Sequence, residues 1–322
     1  MTLRVAVIGG GRSCEHEVSL ASAASVAAGL DRPSYDVVRL TIGHDGTWRD
    51  RGDRPMSLAG AARVLGGCDV AFPVVHGRHG EDGTLAALFD LAAIPYVGSG
   101  IGAGALAMDK WATKLVAGAL GIATAAGQVV TAATVDAVPW TGPVVVKPVA
   151  AGSSLGVSLV TRPEHLPAAL SGALALDSRV LVEDVVVGRE IDVAVLRRND
   201  GSLLVPPVLE IAGDGLFDYD AKYSGRADFL VPAPLSETET ATLEEAAVAT
   251  YDALGCSGVA RVDFFLTGDG PVLNEVNTTP GMTEHSQVPR MFAAAGLSYS
   301  ELLDELVRGA TPVTPHVVRL RA

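Results

Sequence analysis

Lysine is scarce in this chain. Only four of its 24 basic residues are lysines: Lys110, Lys114, Lys147 and Lys222. A codon bias toward arginine is the plain cause. A surviving lysine also marks a position where a compact ammonium fits and a broad guanidinium does not. Cysteine is scarcer still. Cys14, Cys68 and Cys256 are an odd number without Cys-x-x-Cys spacing. That argues against a disulfide framework and a cysteine zinc site, and it fits a reducing, cytoplasmic setting. Positive charge is in deficit. With 37 acids the formal net charge is −13, so neither nucleic acid nor an anionic membrane surface is an expected partner. No Gly-Lys-Ser/Thr triplet occurs, which excludes a Walker A loop. The first residues lack a basic segment leading into a long apolar one, so no signal peptide is expected. The longest uncharged stretch, 115–135, is broken by glycines, a glutamine and threonines. It reads as helix end, turn and strand, not as a membrane span.

The chain has 322 residues, 48% of them apolar, enough for two or three domains with real cores. Apolar strands are expected at 4–8, 35–41, 70–75 and 94–97, alternating with helices at 17–30 and 81–91. That alternation predicts a parallel, doubly wound α/β first domain over residues 1–99. A second region, 100–184, opens with a helix at 107–119 and continues through strands at 127–130, 143–147, 157–160 and 179–183. A third, 185–322, holds strands at 190–196, 203–210, 258–266 and 271–277, a helix at 237–254, two helices near 288–295 and 299–308, and a loose tail.

Four segments could carry chemistry. Thr267-Gly-Asp-Gly270 is a turn between two apolar runs. A three-residue loop there sets Thr267 opposite Pro271, Asp263 opposite Glu275 and Arg261 opposite Asn277, all four polar groups on one face. Two carboxylates and an amide oxygen are hard ligands suited to Mg2+. A solvated sheet face with cross-strand ion pairs has the same pattern. Lys147 ends an apolar strand before a loop of small residues, 150–156, whose backbone N–H groups could cradle an anion or simply form a flexible loop. His76 follows a strand in Val75-His-Gly-Arg-His-Gly-Glu-Asp-Gly83, where α/β proteins bind ligands. A metal held by His76 and His79 lacks a third ligand nearby. Glu15 and Glu17 fall at a helix start; the dipole explains Glu17, and Glu15 is the sharper binding candidate. The glycines at 98–104 never complete Gly-x-Gly-x-x-Gly in register, and no acid follows about twenty residues on, which argues against a dinucleotide site.

Taken together, the motifs resemble an ATP-grasp ligase, and closely the D-alanine–D-alanine ligase family. They are Glu-His-Glu-Val-Ser-Leu (15–20), His-Gly-x-x-Gly-Glu-Asp-Gly-Thr (76–84), Pro-Tyr-Val-Gly-Ser-Gly (95–100), Met-Asp-Lys (108–110), Val-Lys-Pro (146–148), Gly-Ser-Ser-x-Gly (152–156), Asp-Tyr-x-Ala-Lys-Tyr (218–223), Arg-Val-Asp-Phe (261–264) and Asn-Glu-Val-Asn-Thr-x-Pro-Gly-Met-Thr (274–283). The resemblance spans nearly the whole chain. It implies a three-domain ATP-grasp fold with ATP between the central and C-terminal parts, and mobile lids at about 213–231 and 150–156.

The resemblance also implies roles. Lys110 and Lys147 would hold the ATP phosphates, with Ser153, Ser154 and Lys222 near them. Glu183 and the backbone at Val186 would contact adenine, and Glu190 the ribose. Asp263, Glu275 and Asn277 would bind two Mg2+, with Mn2+ able to substitute. Arg261 and the N–H of Gly281 would stabilise an oxyanion, and Arg261 and Gln287 would also line the substrate site. Glu15 and His76 would bind the first D-alanine, Lys222 and Ser286 the carboxylate of the second. Glu15, Ser153 and Tyr223 would tie a lid shut. A homodimer and a role in peptidoglycan precursor synthesis are implied as well. Lys114 has no implied role and reads as a solvated helix residue. Phe217 stands where a tyrosine is expected, and Gln287 stands where an apolar residue is expected beside the second-substrate site. Tyr223 favours an amine acceptor over D-lactate, while Gln287 leaves D-serine open. An alternative is a related ligase with another second substrate; a nucleotide-binding protein without ligase activity is a third reading.

Overall fold

Three strands, Leu3–Gly10, Tyr35–Ile42 and Val70–Pro73, run parallel at the centre of the first sheet. In this computed structural model, residues 2–30, 32–212 and 228–310 are described. Most of the expected lid, with Phe217, Lys222 and Tyr223, and the expected tail from 311 lie outside them. The sheet is not purely parallel. Trp48–Arg49 and Pro55–Met56 fold back antiparallel on its edge. The turn Asp45-Gly46 causes this: Asp45 accepts the Thr47 N–H at 2.9 Å and Gly46 takes φ +83°. The expected strand at 94–97 shrinks to one bridge, Tyr96 beside Ala71. Helix His16–Gly29 lies against Leu3–Gly10 so closely that a Cβ on Gly9 would fall 2.5 Å from the Ala23 Cβ.

The expected helix at 81–91 begins only at Thr84, because Gly83 sits at φ +86° and Asp82 takes the Thr84 N–H. The expected helix at 107–119 is two helices, Ile101–Met108 and Lys110–Ala119. Asp109 breaks them. Its backbone is extended, and its carboxylate accepts the Ala112 N–H at 2.9 Å, so it caps the second helix. Lys110 therefore opens a helix instead of lying within one.

A second, antiparallel sheet has the order Gly127–Val130, Val180–Asp184, Val144–Pro148, Ser158–Val160, with helix Leu166–Leu174 packed on it. The third sheet runs Asp228–Leu230, Leu209–Ala212, Arg189–Arg197, Val259–Thr267, Gly270–Asn277, Ala123–Thr124. Helix Glu237–Leu254 covers one face of it, burying Leu243, Ala247 and Tyr251. That helix starts in a capping box between Ser236 and Glu239 and stops at Gly255, which adopts φ +71°. Among the described residues no helix is long and apolar enough to cross a membrane.

The chain closes on its own beginning. Helices Gln287–Ala294 and Tyr299–Arg308 place Phe292, Leu302, Leu303 and Leu306 in one core with Val5, Val7, Val26 and Phe72. This packing holds the first sheet beside the third and fixes the cleft between them. Leu303 is fully buried there. Leu303→Ala should cost about 2–5 kcal/mol in urea denaturation; a loss below about 1 kcal/mol would contradict the closure described.

Candidate active site

The Val259–Thr267/Gly270–Asn277 hairpin carries the polar face. Arg261 pairs with Asn277 and Asp263 with Glu275, as the spacing predicts. The turn is one residue tighter than expected, with Thr267 opposite Gly270 instead of Pro271. A register shift between Asp263 and Phe264 restores the pairing. Asn274 is the extra residue of that bulge. The neighbouring strand adds Asp192, directly opposite Asp263. Two facing carboxylates would repel, and Arg261 lies between them. Its Nε and Nη2 donate to the two Asp263 oxygens, both at 2.7 Å, and Nε is 3.4 Å from Asp192. Burial would lower the Arg261 pKa, but Asp263 and Asp192 hold it far above the ordinary value, so the guanidinium stays charged. Asn277 Nδ2 donates to Asp263 at 3.0 Å, which leaves its carbonyl oxygen for another partner.

Lysines reach this face from two other elements. Lys110 Nζ donates to the Ala151 carbonyl at 2.8 Å and sits 3.1 Å from Glu275. Lys147 Nζ donates to Asn274 Oδ1 at 3.2 Å and lies 2.6 Å from Glu183. Burial raises the Glu275 pKa, but Lys110, Lys147 and Arg261 outweigh it and hold the carboxyl well below the usual glutamate range. Glu183 is buried, and it also pairs with Lys114. Lys114 is therefore not a solvated helix residue: it is buried on the inner side of Lys110–Ala119. Burial would raise the Glu183 pKa; two flanking lysines lower it and keep it ionised.

A second group lines the opposite wall. Ser153 Oγ donates to Glu15 Oε1 at 2.5 Å. Ser153 and Ser154 hold φ near +51° and +53°, a left-handed conformation uncommon outside glycine. A Cβ on Gly152 would stand 2.4 Å from Glu15 Oε2, so only glycine lets this loop reach Glu15. His76 is buried; its Nδ1 faces the Thr279 carbonyl at 2.8 Å and Glu81 at 3.6 Å. Burial, Glu81 and Glu275 raise the Glu15 pKa, with the Ser153 hydrogen bond opposing them. Gly152, which packs on Glu15, lines one cleft together with Glu275. Lys110, Glu81 and Asn277 line the same cleft.

Of the remaining candidates, Val186 lies on the link between the second and third sheets, and Glu190 shares a face with Asp192. Ser286 Oγ bonds Thr283, and Gly281 packs so near that an added Cβ would be 3.2 Å from Ser286 Oγ. Gln287 Oε1 accepts from Arg261 Nη1 at 2.5 Å. Lys222 and Tyr223 are outside the described residues. Sequence reasoning missed Asp192, Asn274, Glu81 and Lys114. An acid inside the otherwise apolar run 191–196 was the available signal for Asp192.

Comparison with known proteins agrees with this geometry. The sequence profile of the D-ala D-ala ligase N-terminus matches residues 4–99, and that of the D-ala D-ala ligase C-terminus matches residues 125–308. The chain belongs to the D-alanine–D-alanine ligase family. It is 41% identical to a D-alanine–D-alanine ligase of Mycolicibacterium smegmatis over 94% of each chain. To one from Corynebacterium urealyticum it is 40% identical, over 96% of this chain and 98% of the relative. Among solved structures, the VanG D-Ala:D-Ser ligase of Enterococcus faecalis is 36% identical, with a TM-score of 0.83 over 95% of this chain and 99% of that one. The Bacillus anthracis D-alanine–D-alanine ligase complexed with ATP is 29% identical, with a TM-score of 0.79 over 96% and 97%. The fold is that of the ATP-grasp enzymes, and the protein is an ATP-dependent ligase.

Two outcomes follow from the charges. Lys114→Met leaves Glu183 with Lys147 alone and should destabilise the protein by about 3 kcal/mol; adding Glu183→Gln in the same chain should recover part of that loss in chemical denaturation. Glu15 and His76 both have raised pKa values; for His76, Glu81 and Glu15 overcome a burial effect of opposite sign. The folded state therefore binds more protons than the unfolded chain over the window starting near their ordinary values. Stability should fall as pH rises past the ordinary glutamate and histidine values. Glu15→Gln should flatten that decline in Tm; an unchanged slope would contradict the assignment.

Proposed function

We propose that this protein joins two D-alanine molecules into D-alanyl-D-alanine, with ATP converted to ADP and phosphate, through a D-alanyl phosphate intermediate. The observation that carries this reading is the face shared by Arg261, Asp263, Glu275 and Asn277, with Lys110 and Lys147 delivered to it from two other elements. A carboxylate does not accept an amine, so it must first be activated. One carboxylate oxygen of the first D-alanine attacks the γ-phosphorus; the bond to the β–γ bridging oxygen breaks and ADP leaves. Lys110 and Lys147 spread the charge on the transferring group. The free amine of the second D-alanine then attacks the acyl carbon. A C–N bond forms, the carbon–oxygen bond to phosphate breaks, phosphate leaves, and the amine loses a proton. Arg261 and the Gly281 N–H would hold the oxyanion between these events.

Asp263, Glu275 and the Asn277 carbonyl are an all-oxygen donor set that fits Mg2+, and two ions, replaceable by Mn2+, would bind there. Bound Mg2+ supplies charge neutralisation at the phosphates. Glu15 and His76 would orient the first D-alanine, and Ser286 and Lys222 the carboxylate of the second. Glu183 and the Val186 backbone would meet adenine, and Glu190 the ribose. Ser153 holds the 150–156 loop on Glu15, and with Tyr223 it would keep water from the acyl phosphate. The product suits peptidoglycan precursor synthesis in the cytoplasm, by a homodimer. The curated relatives near 40% identity are D-alanine–D-alanine ligases, which favours D-alanine over D-serine as the second substrate.

The test is ADP release with Mg·ATP and D-alanine, with mass detection of the dipeptide, followed by D-alanine paired with D-serine or D-lactate. D-alanyl-D-alanine should dominate each mixture. Asp263→Asn should lower kcat by about 100-fold or more, since it meets transition-state charge. A mixed product in excess, or turnover near normal in Asp263→Asn, would contradict the reading.

A further inference from the structure

We infer that Gln287 is a positioning residue for Arg261, and that through it this side chain acts on amide-bond formation and not on acyl-phosphate formation. The inference rests on the ligase reading above. Gln287 is the first residue of helix Gln287–Ala294, with Ser286 at its N-cap. Its Oε1 accepts the Arg261 Nη1–H at 2.5 Å. Arg261 has only donors, so the Gln287 amide must face it with its oxygen. The orientation is set by chemistry.

Asp263 grips Arg261 from one side, through Nε and Nη2. Those contacts fix the plane of the guanidinium against its own strand. The Gln287 bond comes from a different element and ties the far end of the group. Three of the five guanidinium N–H groups are then engaged among the described residues, which leaves one on Nη1 and one on Nη2 for an oxyanion. The other oxyanion donor, the Gly281 N–H, lies on the segment that leads into this same helix, packed against Ser286. Gln287 thus places Arg261 and Gly281 in one frame. An apolar side chain here would leave Arg261 anchored on Asp263 and Asp192 alone.

Only the second half-reaction forms a tetrahedral oxyanion at carbon. In the first, the carboxylate attacks phosphorus and no such centre arises. A loss of Arg261 alignment should therefore separate the two steps. The probe is ATP labelled with 18O at the β–γ bridge. Reversible acyl-phosphate formation frees the ADP β-phosphate to rotate, so the label scrambles at a rate that reports the first step. In Gln287→Leu, dipeptide formation should fall about tenfold or more while scrambling stays within about threefold of wild type, with KM for ATP unchanged. Gln287→Glu keeps the acceptor oxygen and should return the dipeptide rate to within about threefold of wild type. Equal loss of both rates in Gln287→Leu, an unchanged dipeptide rate, or no recovery in Gln287→Glu would overturn the assignment. A wild-type protein that neither scrambles label nor forms dipeptide would instead overturn the ligase reading, and this inference with it.

Discussion

Four cations share this cleft because four carboxylates share it with them. Arg261, Lys110, Lys147 and Lys114 are matched by Asp192, Asp263, Glu275 and Glu183. Removing one ion of such a size from water costs several kcal/mol even after relaxation, so each of these groups needs the others. The consequence reaches beyond stability. The same lysines that would hold phosphates are held by carboxylates, and two of the carboxylates would hold Mg2+. Nucleotide and Mg2+ would each take one half of an existing ion pair, so each should help the other to bind.

The folding problem is to bring these charges together from distant parts of the chain. Lys147 stands on the second sheet and Asn274 on the third, and a single hydrogen bond joins them. Asp109 ends one helix and starts the next, which puts Lys110 at the cleft. Gly152 allows the small-residue loop to touch Glu15 on the first sheet's side. The C-terminal helices hold that side in place by packing Phe292 and Leu303 against Val5 and Phe72. No one of these segments contains a site by itself.

Much of this was legible in residue order, for physical reasons that differ from place to place. Period-two alternation put Arg261, Asp263, Glu275 and Asn277 on one face. The turn was misjudged by one residue and the bulge at Asn274 was not foreseen; the two errors cancelled at the end of the hairpin that matters. A bulge depends on which carbonyls and N–H groups find partners across the strands, and the run Pro-Val-Leu-Asn-Glu-Val-Asn does not display that. Lys114 reads as solvated from the sequence because the resemblance gives it no role. Its burial follows from Glu183, a residue 69 positions away that nothing in the local pattern connects to it. The short antiparallel edge at 48–56 escaped notice for a similar reason, as two-residue strands leave no periodicity to read.

The cleft is pre-charged: its lysines and carboxylates neutralise one another, and nucleotide and Mg2+ would divide them. Calorimetric titration of the wild-type protein with ATP, in the presence of EDTA and then of saturating Mg2+, tests this most directly. The account predicts at least about tenfold tighter binding with Mg2+, since the Glu275 carboxylate released by Lys110 would then have a partner. Equal affinity under the two conditions would contradict it.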